Sequence, residues 1–379
     1  MKRFLIAILA TLSVVALKAA QPLLSGNPSL KNEVKHSISR GADWLVKNQQ
    51  PGGFWSAQDT PALTALALTA LLSDPATSPE EKKAVDKGFA YLRSHVKEDG
   101  SIYAKKELVN YNTALSLQAF AALNDPKDKE IIKKARSYLI GTQVDMGEKG
   151  KLDNVYDGGV GYGSKYEHSD MANTLTALEA LHQSRKLVSD TGAKEPELDF
   201  AAAISFLQNC QHLPSHNKQT WVSTDEANKG GFIYHPSESK AGETNTADGR
   251  VALRAYGSIS YAGMLSYIYS GLSKDDARVT AVLEWLQKNY TLSENPGMGE
   301  QGLYYYYHTM AKALHVGGVD KLDIGKDKVD WRQNLALRMF DLQKQDGSWQ
   351  NNNGRWFEKD PVLVTAYGVL TLSYVGAAL

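Results

Sequence analysis

The sequence holds one cysteine, Cys210, among its 379 residues. A lone thiol excludes an intramolecular disulfide, a multi-thiolate zinc site and an iron–sulfur cluster, so packing alone must hold the fold together. Charge of one sign is missing as well, because Lys+Arg and Asp+Glu both number 42. Without a basic excess to displace counterions from phosphates, nucleic acid is not an expected partner. Beyond residue 20 there is no run of about 18 consecutive apolar residues, the minimum for a membrane-spanning helix. What remains is the composition of a globular chain, 42% hydrophobic and 22% charged, long enough to bury about three quarters of its unfolded surface.

The N-terminus has the layout of an export signal. Lys2 and Arg3 precede an apolar stretch from Phe4 to Leu17, and Lys18-Ala19-Ala20 follows. That stretch is shorter than the ~20 residues that span a bilayer, which favours a signal peptide over residues 1–20. Lys18 and Leu17 make poor residues three before a cut, so an uncleaved anchor stays open. Removal of residues 1–20 takes away Lys2, Arg3 and Lys18 and leaves the mature chain, read as a single domain over 21–379, with a net charge of 0 − 3 = −3. The expected location is periplasmic or secreted, with membrane contact only through this N-terminal signal or anchor.

One unit recurs along the chain: an amphipathic stretch ending in an aromatic-Leu pair, a Gly-rich turn, then a run of small and apolar residues. The first copy has Trp44-Leu45, Gly52-Gly53-Phe54-Trp55 and the run Thr64 to Leu71. The second has Tyr91-Leu92, Asp99-Gly100-Ser101 and Thr113 to Leu117; the third has Tyr138-Leu139, Asp157 to Gly163 and Thr174 to Leu181. The fourth has Phe206-Leu207, Gly230-Gly231-Phe232 and Tyr256 to Leu272; the fifth has Trp285-Leu286, Gly297-Met298-Gly299 and Leu303 to Leu314. The sixth has Phe340 to Leu342, Asp346-Gly347-Ser348-Trp349 and Val362 to Val375. The first half of each unit confines its apolar residues to one helical face and suits a surface; the second is apolar or small nearly all round and must be enclosed. The expected fold is therefore all-α, six helical hairpins closed into an α6/α6 toroid with inner helices around a central cavity. An open solenoid would not need one of its two helices apolar on every side.

Gln49-Gln50-Pro51-Gly52-Gly53-Phe54-Trp55 and Gln343-Lys344-Gln345-Asp346-Gly347-Ser348-Trp349 carry Gln, Gly and Trp at one spacing. This resembles the QW repeat of the squalene and hopene cyclases, in the superfamily of terpenoid cyclases and protein prenyltransferases. The resemblance implies an α6/α6 toroid and a hydrophobic isoprenoid or lipid ligand. In physical terms the glycine reverses the chain, the Gln amide bonds free helix-end carbonyls and the Trp covers them. Ile102 and Ile233 stand near the Trp position in degenerate copies.

The family's chemistry is matched only in part. Ser56-Ala57-Gln58-Asp59-Thr60 resembles the cyclase Asp-x-Asp-Asp-Thr stretch, but Gln58 stands at the proton donor, and Asp59 before Pro61 reads equally as a helix N-cap. Asp170 and Asp360-Pro361 open two further inner helices in the same way. Tyr307-His308-Thr309 resembles the zinc-ligand stretch of the prenyltransferases, yet Tyr256-Gly257-Ser258 stands where that family has Asp-Gly-Cys, so neither a metal nor another cofactor is expected. Gly297-Met298-Gly299-Glu300-Gln301 resembles a complement-type thioester motif with Met for the reactive Cys, which excludes covalent trapping.

The candidate acids and bases are accordingly Glu300, His308, Asp59, Asp170 and Asp360. Four consecutive tyrosines, Tyr304 to Tyr307, cover every direction of a helix, so one or two must face the cavity. Tyr304, Tyr305, Tyr307, Tyr256 and Tyr261 are the candidate ligand contacts, offering ring faces to a cation and hydroxyls to a polar group. Three functions follow: a cyclase- or transferase-like enzyme, a noncatalytic binding toroid, or a secreted polysaccharide lyase or hydrolase on the same architecture. Oligomeric state is left open.

Overall fold

The computed structural model describes residues 28–164, 168–188 and 196–379. The expected signal segment, residues 1–20, lies outside the described residues. Helices alternate between an outer and an inner layer: α1 (Pro28–Lys47) outer, α2 (Pro61–Leu71) inner, α3 (Pro79–Ser94) outer, α4 (Val109–Leu123) inner, α5 (Lys129–Ile140) outer and α6 (Met171–Val188) inner. The alternation continues through α7 (Phe200–Gln208), α8 (Gly257–Tyr269), α9 (Ala277–Lys288), α10 (Leu303–Val316), α11 (Trp331–Leu342) and α12 (Pro361–Ala378). Each inner helix packs on the next, and α12 packs back onto α2, so the inner ring closes; α1 packs on α12 and α11 and seals the outer layer. This is an α/α toroid. Among the described residues no helix is long and apolar enough to cross a membrane.

The sequence patterns act as physics requires. α3 buries Ala84, Val85, Phe89 and Leu92 on one face and leaves Lys82, Lys83, Asp86 and Lys87 in water; a capping box between Ser78 and Glu81 starts it. α2 buries every residue except Thr69, because other helices surround it.

Five turns share one construction. Gly53, Gly100, Gly158, Gly230 and Gly347 have φ between 85° and 94°, and a Cβ on each would lie 2.0–2.5 Å from a carbonyl oxygen of the next outer helix. Only glycine combines that φ with that approach. Two residues later a backbone N–H is donated to a hydroxyl of the inner helix: Trp55 to Thr64, Ile102 to Thr113, Val160 to Thr174, Phe232 to Ser260 and Trp349 to Thr365, at 2.9–3.1 Å. The residue in the fourth turn is thus Phe232 rather than Ile233. The fifth turn is wired differently, with Asn295 bonded to Gly299 and Gly297 against Ala255 and Tyr256.

The Gln amides do not bond carbonyls freed at the end of their own helix. Gln49, Gln143, Gln211 and Gln343 each donate Nε2 to their turn glycine's carbonyl and to a carbonyl of the next outer element, at Ala84, Asp199, Arg278 and Ser37. The tryptophans serve the helix ends instead: Trp55 Nε1 donates to Leu45 O and Trp349 Nε1 to Met339 O. Two long connections carry small antiparallel hairpins, β1 (Glu243–Asn245) with β2 (Val251–Leu253), and β3 (Leu322–Ile324) with β4 (Asp327–Val329). Cys210 is fully buried just beyond the end of α7.

Candidate active site

The N-termini of the inner helices converge on one mouth of the ring, and side chains of neighbouring units cap three of them. Asn112 of α4 accepts the Ala62 N–H of α2, Asn295 accepts the Ser258 N–H of α8, and Glu358 accepts the Tyr304 and Tyr305 N–H groups of α10. Asp170 and Asp360 cap their own helices, accepting the Asn173 and Val362 N–H groups at 2.9 Å. Asp59 does not cap α2. The N-cap there is Thr60, which makes no side-chain cap bond, while the half-exposed Asp59 pairs with Lys105.

Asp170 is the carboxylate this arrangement buries completely. Its Oδ1 accepts the Asn173 N–H and its Oδ2 accepts Asn173 Nδ2 at 2.7 Å, with the Tyr234 hydroxyl also in reach. Burial outweighs these donors and raises its pKa to about 6. Around it stand tyrosines from several units: Tyr162 and Tyr234 from the third and fourth turns, Tyr256 at the start of α8, and Tyr305 from α10. Tyr111 of α4 lies 6.4 Å from Tyr162 between ring centroids, and Tyr367 of α12 lies 6.0 Å from Tyr305. Tyr111, Tyr162, Tyr234 and Tyr305 remain partly exposed although they lie inside the ring mouth, so they line it. Burial raises the pKa of every one of these phenols, which keeps them as neutral O–H donors.

Of the tyrosine run, Tyr305 alone turns to the axis. Tyr304, Tyr306 and Tyr307 donate their hydroxyls to the carbonyls of Gln350, Thr291 and Leu292, away from the mouth. Tyr261 packs on Tyr306, centroids 5.7 Å apart, and its buried hydroxyl has no partner among the described residues. The expected contacts therefore divide, with Tyr305 lining the mouth, Tyr256 buried behind it beside Asp170, and Tyr304, Tyr307 and Tyr261 in the wall between helices. Glu300 is exposed on the turn before α10, where its backbone carbonyl accepts from Asn351.

Below the tyrosines the axis is polar. His308 stacks on Tyr367 at 5.3 Å, its buried Nδ1 has no partner among the described residues, and burial followed by the nearby Lys312 charge depresses its pKa, leaving the imidazole neutral. Lys312 is paired with Glu179, and Gln118 donates to the Thr176 carbonyl. The small and apolar inner runs, with their tyrosines, predict a lining of small, aliphatic and tyrosine side chains. The structure places an ion pair, an imidazole and amides there, because Tyr305, His308 and Lys312 fall on one stripe of α10 at i, i+3 and i+7. Among the described residues no cluster of three or more His, Cys, Asp or Glu could hold a metal ion.

Sequence reading missed Tyr111, Tyr162, Tyr234, Tyr367, Asn173 and the Glu179–Lys312 pair. The pair had a signal, since a lone Glu or Lys inside an apolar inner helix must find a partner. The tyrosines had none, because their convergence depends on the closed ring.

Neither a family model nor a curated protein matches the sequence. Solved structures match the fold across nearly its whole length. The type II terpene cyclase MstE from Scytonema superposes with a TM-score of 0.55 at 14% identity, over 92% of this chain and 99% of that one. A variant of it in complex with the substrate geranylgeranyl dihydroxybenzoate gives 0.55 at 13%, over 93% and 99%. An inactive variant of the α-1,6-mannanase GH76A of Salegentibacter sp., with two consecutive aspartates replaced and α-1,6-mannotriose bound, gives 0.56 at 10%, over 91% and 100%. At these identities the likeness is one of fold, the α/α toroid that terpene cyclases and mannanases share.

Proposed function

We propose that this chain is a cyclase-like toroid that admits an isoprenoid or similar hydrophobic ligand at its tyrosine-lined mouth and uses Asp170 as proton donor. The observation that carries this reading is a fully buried carboxyl with a pKa raised to about 6, ringed by aromatic faces. A carboxylic acid so raised holds its proton up to about pH 6 and can release it to a substrate π-bond or oxygen. The Asn173 N–H groups and the Tyr234 hydroxyl then stabilise the aspartate, and the faces of Tyr162 and Tyr305 stabilise positive charge on the ligand. The fold of MstE and the resemblance of the first and sixth turns to the cyclase QW repeat support the same direction. The Glu179–Lys312 pair deeper on the axis favours a ligand with one polar end over a pure hydrocarbon. His308, with its free ring nitrogen, is the group that would meet that end. The Lys2-Arg3 and apolar layout of the first 20 residues supports export.

A glycan is the second reading, favoured by the phenol-rich wall and the mannanase fold. It is weaker because glycoside hydrolysis needs two carboxyl groups flanking one bond. Glu358 is committed to the N-terminus of α10. The sequence has a single Asp-Asp pair, Asp275-Asp276, in the α8–α9 turn at the far end of the ring, where Asp276 caps α9.

The test is native mass spectrometry and organic extraction of the protein from its producing cells, followed by incubation with squalene, geranylgeranyl-bearing phenols and α-1,6-mannotriose. A cyclised product lost in Asp170→Asn supports the cyclase reading. Stoichiometric lipid binding without product identifies a noncatalytic binding toroid. Cleavage of the mannotriose with an empty cavity sinks the hydrophobic-ligand reading.

A further inference from the structure

The connection from α7 to α8 builds a second site, off the ring axis. An open cleft of about 570 Å³ lies between the β1–β2 hairpin, the fourth turn and the end of α9, with Ala227, Asn228, Ala255 and Trp285 in its walls. All three residues of β1 and the two that follow it, Thr246 and Ala247, line one side, whereas none of Val251, Ala252 and Leu253 of β2 does and only Arg254, past its end, reaches the cleft from that arm. The face of a strand presents alternate residues, and a hairpin face would include both strands; an unbroken run from one strand means that the cleft follows its edge.

The register shows what that edge carries. Thr244 pairs with Ala252, and on either side the Arg254 N–H is donated to Gly242 O and the Thr246 N–H to Arg250 O, each at 2.9 Å. Residues 242, 244 and 246 therefore point their backbone groups into the hairpin, and Glu243 and Asn245 point theirs out. No hydrogen bond to the outward N–H or C=O groups of Glu243 and Asn245 is made among the described residues. The opposite edge is covered, because His212 Nε2 bonds Leu253 O and Arg250 bonds the Thr220 and Val222 carbonyls. One edge of this two-stranded sheet is thus sealed and the other opens on a cleft of ligand size.

We propose that the β1 edge is a docking site for an extended peptide segment of a partner protein, which adds a third strand through the backbone groups of Glu243 and Asn245. Main-chain bonds supply the affinity, and the small side chains Ala227, Ala247 and Ala255 leave room for every second side chain of the segment. Glu243 is exposed and has no ion-pair partner among the described residues, so the segment carries a Lys or Arg beside it. The site does not rest on the chemistry assigned to Asp170.

The test uses the full chain against a random octapeptide display library, with the recovered sequences resynthesised as blocked peptides. Recovered peptides are expected to be β-formers with a basic residue, and binding is expected to slow exchange of the Glu243 and Asn245 amides. Asn245→Pro removes an outward N–H while leaving the hairpin's own bonds, so it should weaken binding at least tenfold with the melting temperature retained. Methylating successive peptide nitrogens should weaken binding at every second position, the mark of strand pairing. Glu243→Lys should turn the selection towards acidic peptides. Recovery of no binder, a methylation effect without the period of two, oligosaccharide binding that displaces the peptide, or a concentration-dependent dimer lost in Asn245→Pro would each overturn the proposal.

Discussion

Lys312 on α10 reaches Glu179 on α6, with α8 standing between the two helices in the ring, and its Nζ lies 2.7 Å from the carboxylate. The side chains are 7% and 4% exposed, so each charge depends on the other for its solvation. Gln183 donates to the same carboxylate at 2.9 Å. Truncating one partner strands a buried charge, and Lys312→Met or Glu179→Leu alone should cost about 3–5 kcal/mol in urea unfolding. The double variant removes both charges and should recover most of that loss. A double variant no more stable than the singles would show that the pair is not held as a unit.

Asp170 makes stability depend on pH in a stated direction. Burial raises its native pKa to about 6 from the ordinary aspartate value of 3.8, so the folded chain holds this proton more tightly than the unfolded one. Its stability contribution is complete below the unfolded pKa and is lost as pH rises through the folded one, by about 3 kcal/mol between roughly pH 4 and 6. Asp170→Asn should flatten that window and raise stability above it. The Asn173 Oδ1, unpartnered among the described residues, can accept from the new amide once the Asn173 amide turns over, so the substitution leaves no donor facing a donor. The check is a series of urea melts across this range; an unchanged slope in the variant would mean that Asp170 titrates normally.

Two glycines of nearly equal φ separate backbone freedom from close approach. Gly347 has φ 94° and a Cβ there would lie 2.3 Å from Arg40 O, whereas Gly271 has φ 91° with nothing within 4 Å. Gly271→Ala should cost only the left-handed penalty of ~1–2 kcal/mol. Gly347→Ala must also push the turn off α1, and should cost roughly twice as much or more. Equal melting temperatures for the two variants would refute the close approach.

Much of this architecture is legible before any coordinate. Thr64, Thr113 and Thr174 recur in the inner runs because each hydroxyl must meet a turn N–H, and the turn glycines recur because each lies under a neighbouring carbonyl. The alternation of one-sided and all-round apolar helices encodes the ring itself. The site is less legible. Tyr111, Tyr162 and Tyr367 are distant in sequence and meet only because α12 closes on α2, a relation no local pattern carries. Asp59 and Asp170 look alike as acids before an inner helix, yet one pairs with Lys105 at the surface and the other is buried under Tyr234. That difference is made by the neighbouring unit, which supplies Asn112 to cap α2 and leaves Asp59 without a helix to serve.

Gln343 joins the two ends of the described chain. Its Nε2 donates to Ser37 O and Gly347 O at 2.9 Å, and its Oε1 accepts from Ser37 Oγ at 2.7 Å, so one amide bonds α1 to the turn after α11. Gln49 does the same between the first turn and α3, but that seam also has chain continuity to hold it. At the α1–α11 seam nothing covalent closes the ring, and the side-chain bonds, those of Arg40 to the Lys344 and Gln345 carbonyls included, are its latch. Gln343→Ala removes two bonds to carbonyls and one from a hydroxyl in a half-buried site, and should cost about 2–3 kcal/mol. Gln49→Ala should cost no more than that, and the two should differ in where the protein opens. Hydrogen exchange in Gln343→Ala should quicken first in α1, because its amides become free to leave the ring as a unit. In Gln49→Ala exchange should quicken locally around residues 49–55. Uniform acceleration across all outer helices in both variants would show that the ring opens cooperatively and that the α1–α11 seam is not its weak point.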